Sequence, residues 1–432
     1  MFGSFVTCAL LPFFFLSVPT AYALEEELPA PSAAQLSILG HKPNWGELEQ
    51  YQRTITHDEF VRLLTQVYAT RGYPAELIRI EPASARILIE KESQNYFVLH
   101  FVKNDAERLP DQPNWKMIGG LQKQPEDKPL GGLHIALDPG HLGGTWAHME
   151  ERWFKIGDAP PVQEGDMTLR VAQLLAPRLQ SLGAKVSLLR DKAEPVTPYR
   201  PPDFEAAAHQ LLLRAGVADP QQSFNGPNDP EKEKTVGWQR ELLFYRNSEI
   251  RRRASLVNDQ LQPDLVICLH FNAEPWGDPG NPTLVPDNHL HLLINGAYLP
   301  PELELEDERF EMLLKLLSGS FPEELGLAES LAGALAKATG LPPYHYKTDN
   351  VTPIGKTGFV YARNLMATRL YRYPTVYLEP YVMNSKEVFE RVKAGDYEGT
   401  RDVAGKKRPS IYREYVDAVV NGLLEYRKKA RR

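Results

Sequence analysis

His141, Glu164, His270 and Glu379 are the residues whose types and settings could do chemistry. His141 follows Asp138-Pro139-Gly140, which breaks a short apolar run (133–137) that reads as a buried strand. Pro and Gly end a strand and turn the chain. His270 follows a second apolar run, DLVICL (264–269), and Glu379 a third, in Val376-Tyr377-Leu378. If these strands are parallel neighbours, their three side chains gather at the carboxyl edge of one sheet, where open α/β sheets bind ligands. Glu164 precedes a helix whose start should face the same edge. Two imidazoles and a carboxylate with an open fourth position suit a catalytic zinc ion, which acidifies a water and polarises a carbonyl. A further carboxylate is needed to carry the water proton to a leaving nitrogen. Glu164 and Glu379 supply two carboxylates for those two roles, and spacing alone does not divide the roles between them. There is no compact HExxH.

The elements that must position these residues alternate along the chain. After the first strand, 166–182 reads as a helix with Met167, Val171, Leu174 and Leu175 on one face and Gly183 as its stop. Strands follow at 185–189, 264–269, 289–294 and 375–378, and helices at 247–260, 327–339 and 411–426. The expected fold is α/β: a mostly parallel sheet with helices on both faces, preceded by a small α+β domain. In that domain Thr56 and Glu59 form a capping box opening a helix. Three strand-like runs come after it, at 77–80, 85–90 and 96–102. Two insertions are expected in the catalytic domain. One, near 191–245, is long, irregular and rich in Pro and charge, with one helical piece near 204–215; the other, near 300–325, is acidic. Phe310, Leu313, Leu314 and Leu317 fall at helical spacing in the second.

The chain has 432 residues, 42% of them hydrophobic and 24% charged, which excludes wholesale disorder and leaves apolar mass for a core. A net charge of −7 gives no reason to expect nucleic acid as a partner. Residues 1–23 read as a signal peptide, with an apolar core (2–19) and Ala21-Tyr22-Ala23 before the cleavage point. The n-region carries no Lys or Arg; the alternative is an uncleaved anchor, for which the core is short and interrupted by Pro12. Cys8 leaves with the signal, so Cys268 remains alone, as a small core residue. The mature chain has no later apolar stretch long enough to span a bilayer. Residues 24–128 comprise a linker and the small domain, with no recognised motif, and the catalytic domain takes 129–432. His57, His100, His134, His148, His209, His289, His291 and His345 read as structural or solvated.

Several motifs together resemble one family. Asp138-Pro139-Gly140-His141-Leu142-Gly143-Gly144 is similar to the DPGHGG opening of the zinc-dependent N-acetylmuramoyl-L-alanine amidases, the type 3 amidases. Glu164 with Leu169 and Ala172 resembles their E-x-x-x-N-L-x-x-A motif, with Thr168 in place of Asn. Arg253 to Asn258 resembles their R-x-x-x-A-N helix, Leu269 to Ala273 their S-x-H-x-N-A motif, and Tyr377-Leu378-Glu379-Pro380 the strand bearing their catalytic Glu. The Gly-Phe and Ser-Asn that usually follow that Glu are absent; Pro380 to Ser385 reads PYVMNS. The resemblance covers about 131–383.

The resemblance implies that His141, Glu164 and His270 hold one zinc ion and that Glu379 is general base and acid. It implies hydrolysis of the amide between N-acetylmuramic acid and the L-alanine of the stem peptide. Peptidoglycan is then the substrate partner, a protein activator is a further candidate, and the place of action is the periplasm or cell envelope. The rival readings are another exported zinc peptidase or carboxypeptidase, and a catalytically inactive wall-binding protein. Asp138 is a candidate to orient His141 through its second ring nitrogen, or else a turn carboxylate capping local amides. Asn272 shapes the loop behind His270 or meets substrate. Arg363 and Asn364 are candidates for a substrate carboxylate, or else structural. In the cell-division members of the resembling family an inserted helix covers the metal with a Glu. The segment near 300–325 is therefore a candidate mask, with Glu304, Glu308 and Glu311 as plugs; the alternative is an acidic surface helix with one face on the core.

Overall fold

A computed structural model describes residues 36–90, 94–110 and 114–430. The expected signal peptide and the first part of the linker lie outside the described residues. The centre is a seven-stranded sheet. Its order is Thr352–Pro353, Val360–Ala362, Leu290–Ile294, Thr375–Pro380, Leu265–Leu269, His134–Pro139, Lys185–Leu188. The last four strands in that order are mutually parallel. Leu290–Ile294 runs antiparallel to Thr375–Pro380 and parallel to Val360–Ala362, so the sheet is mixed but mostly parallel.

Alternation along the strands separates two faces. Ile135, Leu137, Ile267, Leu269, Val376 and Leu378 enter the core shared with helices Glu164–Ser181, Phe321–Thr339 and Ile411–Ala430. Ala136, Val266 and Cys268 face the other way, against Ala254, Val257 and Tyr371. On that second face a helical run continues through 236–261, longer than the helix expected over 247–260 and containing two wider π turns. The stretch 191–245 also holds the expected helical piece, as helix Glu205–Arg214, packed through Ala208 and Leu212 against Phe244.

The small unit is a three-stranded antiparallel sheet, Ile78–Glu81, Ser84–Glu90 and Asn95–His100, with helix His57–Leu63 capped by Thr56. It seats on the second insertion. Helix Glu306–Leu317 has almost every residue buried, its acids included. Trp45 Nε1 donates to Glu306 at 3.0 Å, and its ring meets Phe310 edge-on at 5.4 Å. The Ser37 amide donates to Asp307 at 2.8 Å, and Arg309 Nη2 to the Leu88 carbonyl at 2.8 Å.

Glu308 and Glu311 share the Arg369 guanidinium, at 2.9 and 2.7 Å. Several acids drawing on one cation do not offset the loss of water. Burial pushes Glu308 up to about 8 and Glu311 to about 7, despite the pull of Arg369. Since the ordinary value is 4.5, the folded chain binds more protons than the unfolded chain between these limits. Stability is therefore lost as pH rises through them. The unfolding midpoint of the wild type should rise as pH is lowered from about 8.5 to about 6. Glu308→Gln should flatten that rise; an identical slope in both proteins would contradict the assignment.

Candidate metal centre

The turn after His134–Pro139 places His141 in the left-handed backbone region, φ 56°. A non-glycine residue there costs about 1–3 kcal/mol and persists only where surroundings hold it. Two buried arginines do so. Arg190 donates to the carbonyls of Pro139 (3.0 Å), Gly140 (3.1 Å) and Gly165 (2.6 Å). Arg253 donates to the Pro139 and His141 carbonyls at 2.8 and 3.2 Å. The Thr168 hydroxyl adds a bond to the Gly140 carbonyl at 2.7 Å.

Two glycines are required by contact. A Cβ on Gly140 would lie 2.0 Å from the His270 ring, and one on Gly165 2.1 Å from the Gly143 amide nitrogen. This closeness brings the start of helix Glu164–Ser181 up to the turn. Glu164 Oε1 lies 3.0 Å from His270 Nδ1 and accepts from the Phe271 amide at 3.1 Å. Oε2 lies 3.3 Å from His141 Nε2. Among the described residues, His141, Glu164 and His270 form the group able to share one metal ion, with donor atoms all within 4.8 Å of one another. Glu164 Oε2 is buried and has no hydrogen-bond partner. An orphaned oxygen on a carboxylate set between two imidazoles is what a divalent cation would satisfy, and the donor set suits zinc.

Charge agrees with that geometry. Burial would raise Glu164, yet His141, His270 and Arg152 hold it well below the ordinary carboxylate value. Arg152 stands 3.9 Å from Glu164 Oε2. Glu379, at the end of Thr375–Pro380, is pushed the other way, first by burial and then by the Glu164 charge, against Arg152, His141 and Arg363. Tyr377, two residues before Glu379, stacks on the His270 ring at 4.1 Å.

The other expected residues are placed as follows. Asp138 does not orient His141: its carboxylate accepts from Arg253 at 2.7 Å and from Tyr371 at 2.6 Å. The acid beside His141 Nδ1 is Glu150, at 3.4 Å, which also accepts from the Leu142 and Gly143 amides at 2.8 and 3.3 Å. Asn272 ties the loop after His270 to the Tyr381–Met383 backbone through its own main chain, and its side chain reaches His289 at 3.4 Å. Arg363 lies beside Tyr346. Asn364 is held by Glu308 and Arg369.

The plug expectation is corrected. Glu304, Glu308 and Glu311 are not in the metal-capable group. Arg369 holds Glu308 and Glu311, and their helix is covered by the small unit through Ser37, Trp45 and Leu88. Glu150, Arg190 and Arg152 escaped sequence reading because no local pattern marks them; each acts only after the chain has closed on itself. His291, read as structural, is the cross-strand neighbour of Glu379.

The sequence profile of N-acetylmuramoyl-L-alanine amidase matches residues 135–404, a span that includes His141, Glu164, His270 and Glu379. The chain belongs to that amidase family. No curated protein matches it. Similar solved structures include the N-acetylmuramyl-L-alanine amidase Ami1 from Mycobacterium smegmatis, with TM-score 0.37 and 17% identity, covering 69% of this chain and 99% of that one. The CwlD amidase from Clostridioides difficile, solved with the GerS lipoprotein, gives TM-score 0.37 and 13% identity, over 68% and 98%. AmiC2 of Nostoc punctiforme gives TM-score 0.34 and 15% identity, over 68% and 97%. Membership rests on the family match, not on these low scores. The amidase profile begins beyond the small amino-terminal unit.

Two substitutions test the site. Glu150→Gln should weaken zinc affinity roughly 10–100-fold, the usual cost of losing a partner that orients a ligand. Competition with a chromogenic chelator measures it; wild-type affinity would show that Glu150 does not orient His141. Gly140→Ala should displace the His270 ring and lower zinc occupancy in a protein whose circular dichroism is unchanged.

Proposed function

We propose that this chain is an exported peptidoglycan hydrolase that cleaves the amide between N-acetylmuramic acid and the L-alanine of the stem peptide. His141, Glu164 and His270 would hold one zinc ion, and Glu379 would serve as base and acid. The buried Glu164 carboxylate, with Oε1 against His270 and an Oε2 without a hydrogen-bond partner beside His141, is the observation that carries this reading. Family membership supports the substrate class. When bound, a zinc ion supplies Lewis acidity toward the scissile carbonyl and makes water more acidic.

The protein's own residues supply the rest. Arg190, Arg253 and Thr168 hold the backbone carbonyls around His141, so the imidazole meets its partners without rearrangement. Phe271 and the His270 ring orient Glu164. A Glu379 carboxylate oxygen takes the proton of the attacking water and returns it to the alanine nitrogen as the amide breaks. Its raised affinity for protons, from burial and the Glu164 charge, suits both halves of that transfer near neutral pH. Residues 1–23 are read as the export signal, which places the activity in the periplasm or cell envelope. No helix among the described residues is long and apolar enough to cross a membrane.

Digestion of purified sacculi followed by mass spectrometry tests the reaction. Intact stem peptides with free lactyl groups on the glycan are expected. Release of single amino acids from the stem terminus would point instead to a carboxypeptidase. Metal analysis should find about one zinc per chain, lost in His141→Ala and in His270→Ala. Glu379→Gln should keep the zinc while turnover falls roughly 10²–10⁴-fold. Wild-type turnover in that variant would move the proton-transfer role to another group.

A further inference from the structure

Beside the strand that carries Glu379 lies an aromatic cluster that ends in a cation. Tyr377, stacked on His270, packs in one cluster with Leu293, Tyr361 and Tyr346. The Arg363 guanidinium lies 5.6 Å over the Tyr346 ring, and its Nη1 donates to the Tyr346 hydroxyl at 3.5 Å. Arg363 follows strand Val360–Ala362, and its backbone amide donates to the Ile294 carbonyl at 2.9 Å. The backbone at its base is thus fixed to the sheet.

The Tyr346 hydroxyl lies 2.7 Å from His291 Nε2. Arg363 can only donate, so the hydroxyl accepts from it, and the same hydroxyl shares a hydrogen bond with His291 Nε2. Burial, with His289 and Arg363 nearby, keeps this ring neutral by holding its pKa well below the ordinary value. His291 is also directly across the strand pair from Glu379. Through His291 and Tyr346, the Arg363 guanidinium is registered against the strand that carries Glu379.

What Arg363 lacks is an acid in contact: Glu379 and Glu302 feel its charge, and neither pairs with it. Arg253, Arg369 and Arg391 each sit on a carboxylate at 2.7–2.9 Å, and Arg152 approaches Glu164. Arg363 forms no ion pair among the described residues, and its buried Nε has no hydrogen-bond partner. It is half-buried, as is Glu379. A fixed, partly desolvated guanidinium beside the reacting group, without a carboxylate of its own, is a receptor for one.

We infer that Arg363 binds a free carboxylate on the stem peptide, at the residue after the L-alanine, and so selects substrates that carry the acid over those that carry its amide. The inference rests on the amidase reading above and adds the substrate group this side of the cleft recognises. Tyr346 and His291 are positioning residues in this scheme: they act through Arg363.

The test uses two soluble muramyl tripeptides, identical except that the second stem residue bears a free carboxylate in one and a carboxamide in the other. The zinc-loaded full-length enzyme should prefer the carboxylate about 10–100-fold in kcat/KM, mostly through KM, the range expected for a hydrogen-bonded charge. Arg363→Gln should remove that preference by slowing the carboxylate substrate about 10–100-fold more than the carboxamide, and Arg363→Lys should restore part of it. Tyr346→Phe, which keeps the ring but frees the guanidinium, should reduce the preference without abolishing it. Equal rates for the two substrates with wild-type enzyme would overturn the inference while leaving the amidase reading intact. So would an equal loss on both in Arg363→Gln, because that pattern belongs to a residue that only tempers Glu379. Cleavage of neither substrate by a zinc-loaded enzyme that also leaves sacculi intact would overturn the amidase reading itself, and this inference with it.

Discussion

Between the end of one strand and the start of one helix there is room only for hydrogen atoms. Gly140 lies under the His270 ring, and Gly165 lies against the Gly143 amide. This contact brings a loop imidazole, a helix-start carboxylate and a strand-end imidazole into one group, although they come from separate parts of the chain. The approach leaves the backbone of the turn strained at His141 and its carbonyls buried. Arg190 and Arg253 satisfy those carbonyls and thereby hold the strained conformation. A non-glycine residue at either contact, or the loss of either guanidinium, would act on the site through backbone geometry rather than through the ligands themselves.

The second face of the sheet serves the site in a different way. Asp138, Cys268, Tyr371 and Arg253 lie beneath the turn as a closed polar cluster, with the Asp138 carboxylate bonded to both Arg253 and Tyr371. Arg253 thus links that cluster to the turn above it. Farther along the sheet, Arg369 carries the buried acids of helix Glu306–Leu317, and the small amino-terminal unit closes over that helix. The acidic insertion consequently works as an interface between parts of the fold. Its charge is neutralised from within, and its apolar face is shared with Trp45.

Much of this was legible in the sequence because it depends on local signals. The Pro-Gly break after 133–137 and the apolar runs before His270 and Glu379 mark strand ends, and parallel pairing then collects those ends at one edge. Glu164 is legible as a helix start. Asp138 misled because a carboxylate next to a histidine turn looks like its partner, whereas strand alternation points it to the other face, toward Arg253 and Tyr371. Glu150 carries no signal, since its nearness to His141 depends on the path of a loop without periodicity. The acidic helix misled for a physical reason: Glu308 and Glu311 at helical spacing read as solvated or as plugs, and their partner, Arg369, lies far along the chain. No window of sequence contains that pair.

Anomalous diffraction at the zinc edge, from crystals of the metal-loaded protein, tests the central claim most directly. The account predicts a single strong site bonded to His141, Glu164 and His270 at about 2.0–2.2 Å, with Glu379 outside bonding distance. A zinc ion bound through Glu379, or at a place that omits Glu164, would contradict it.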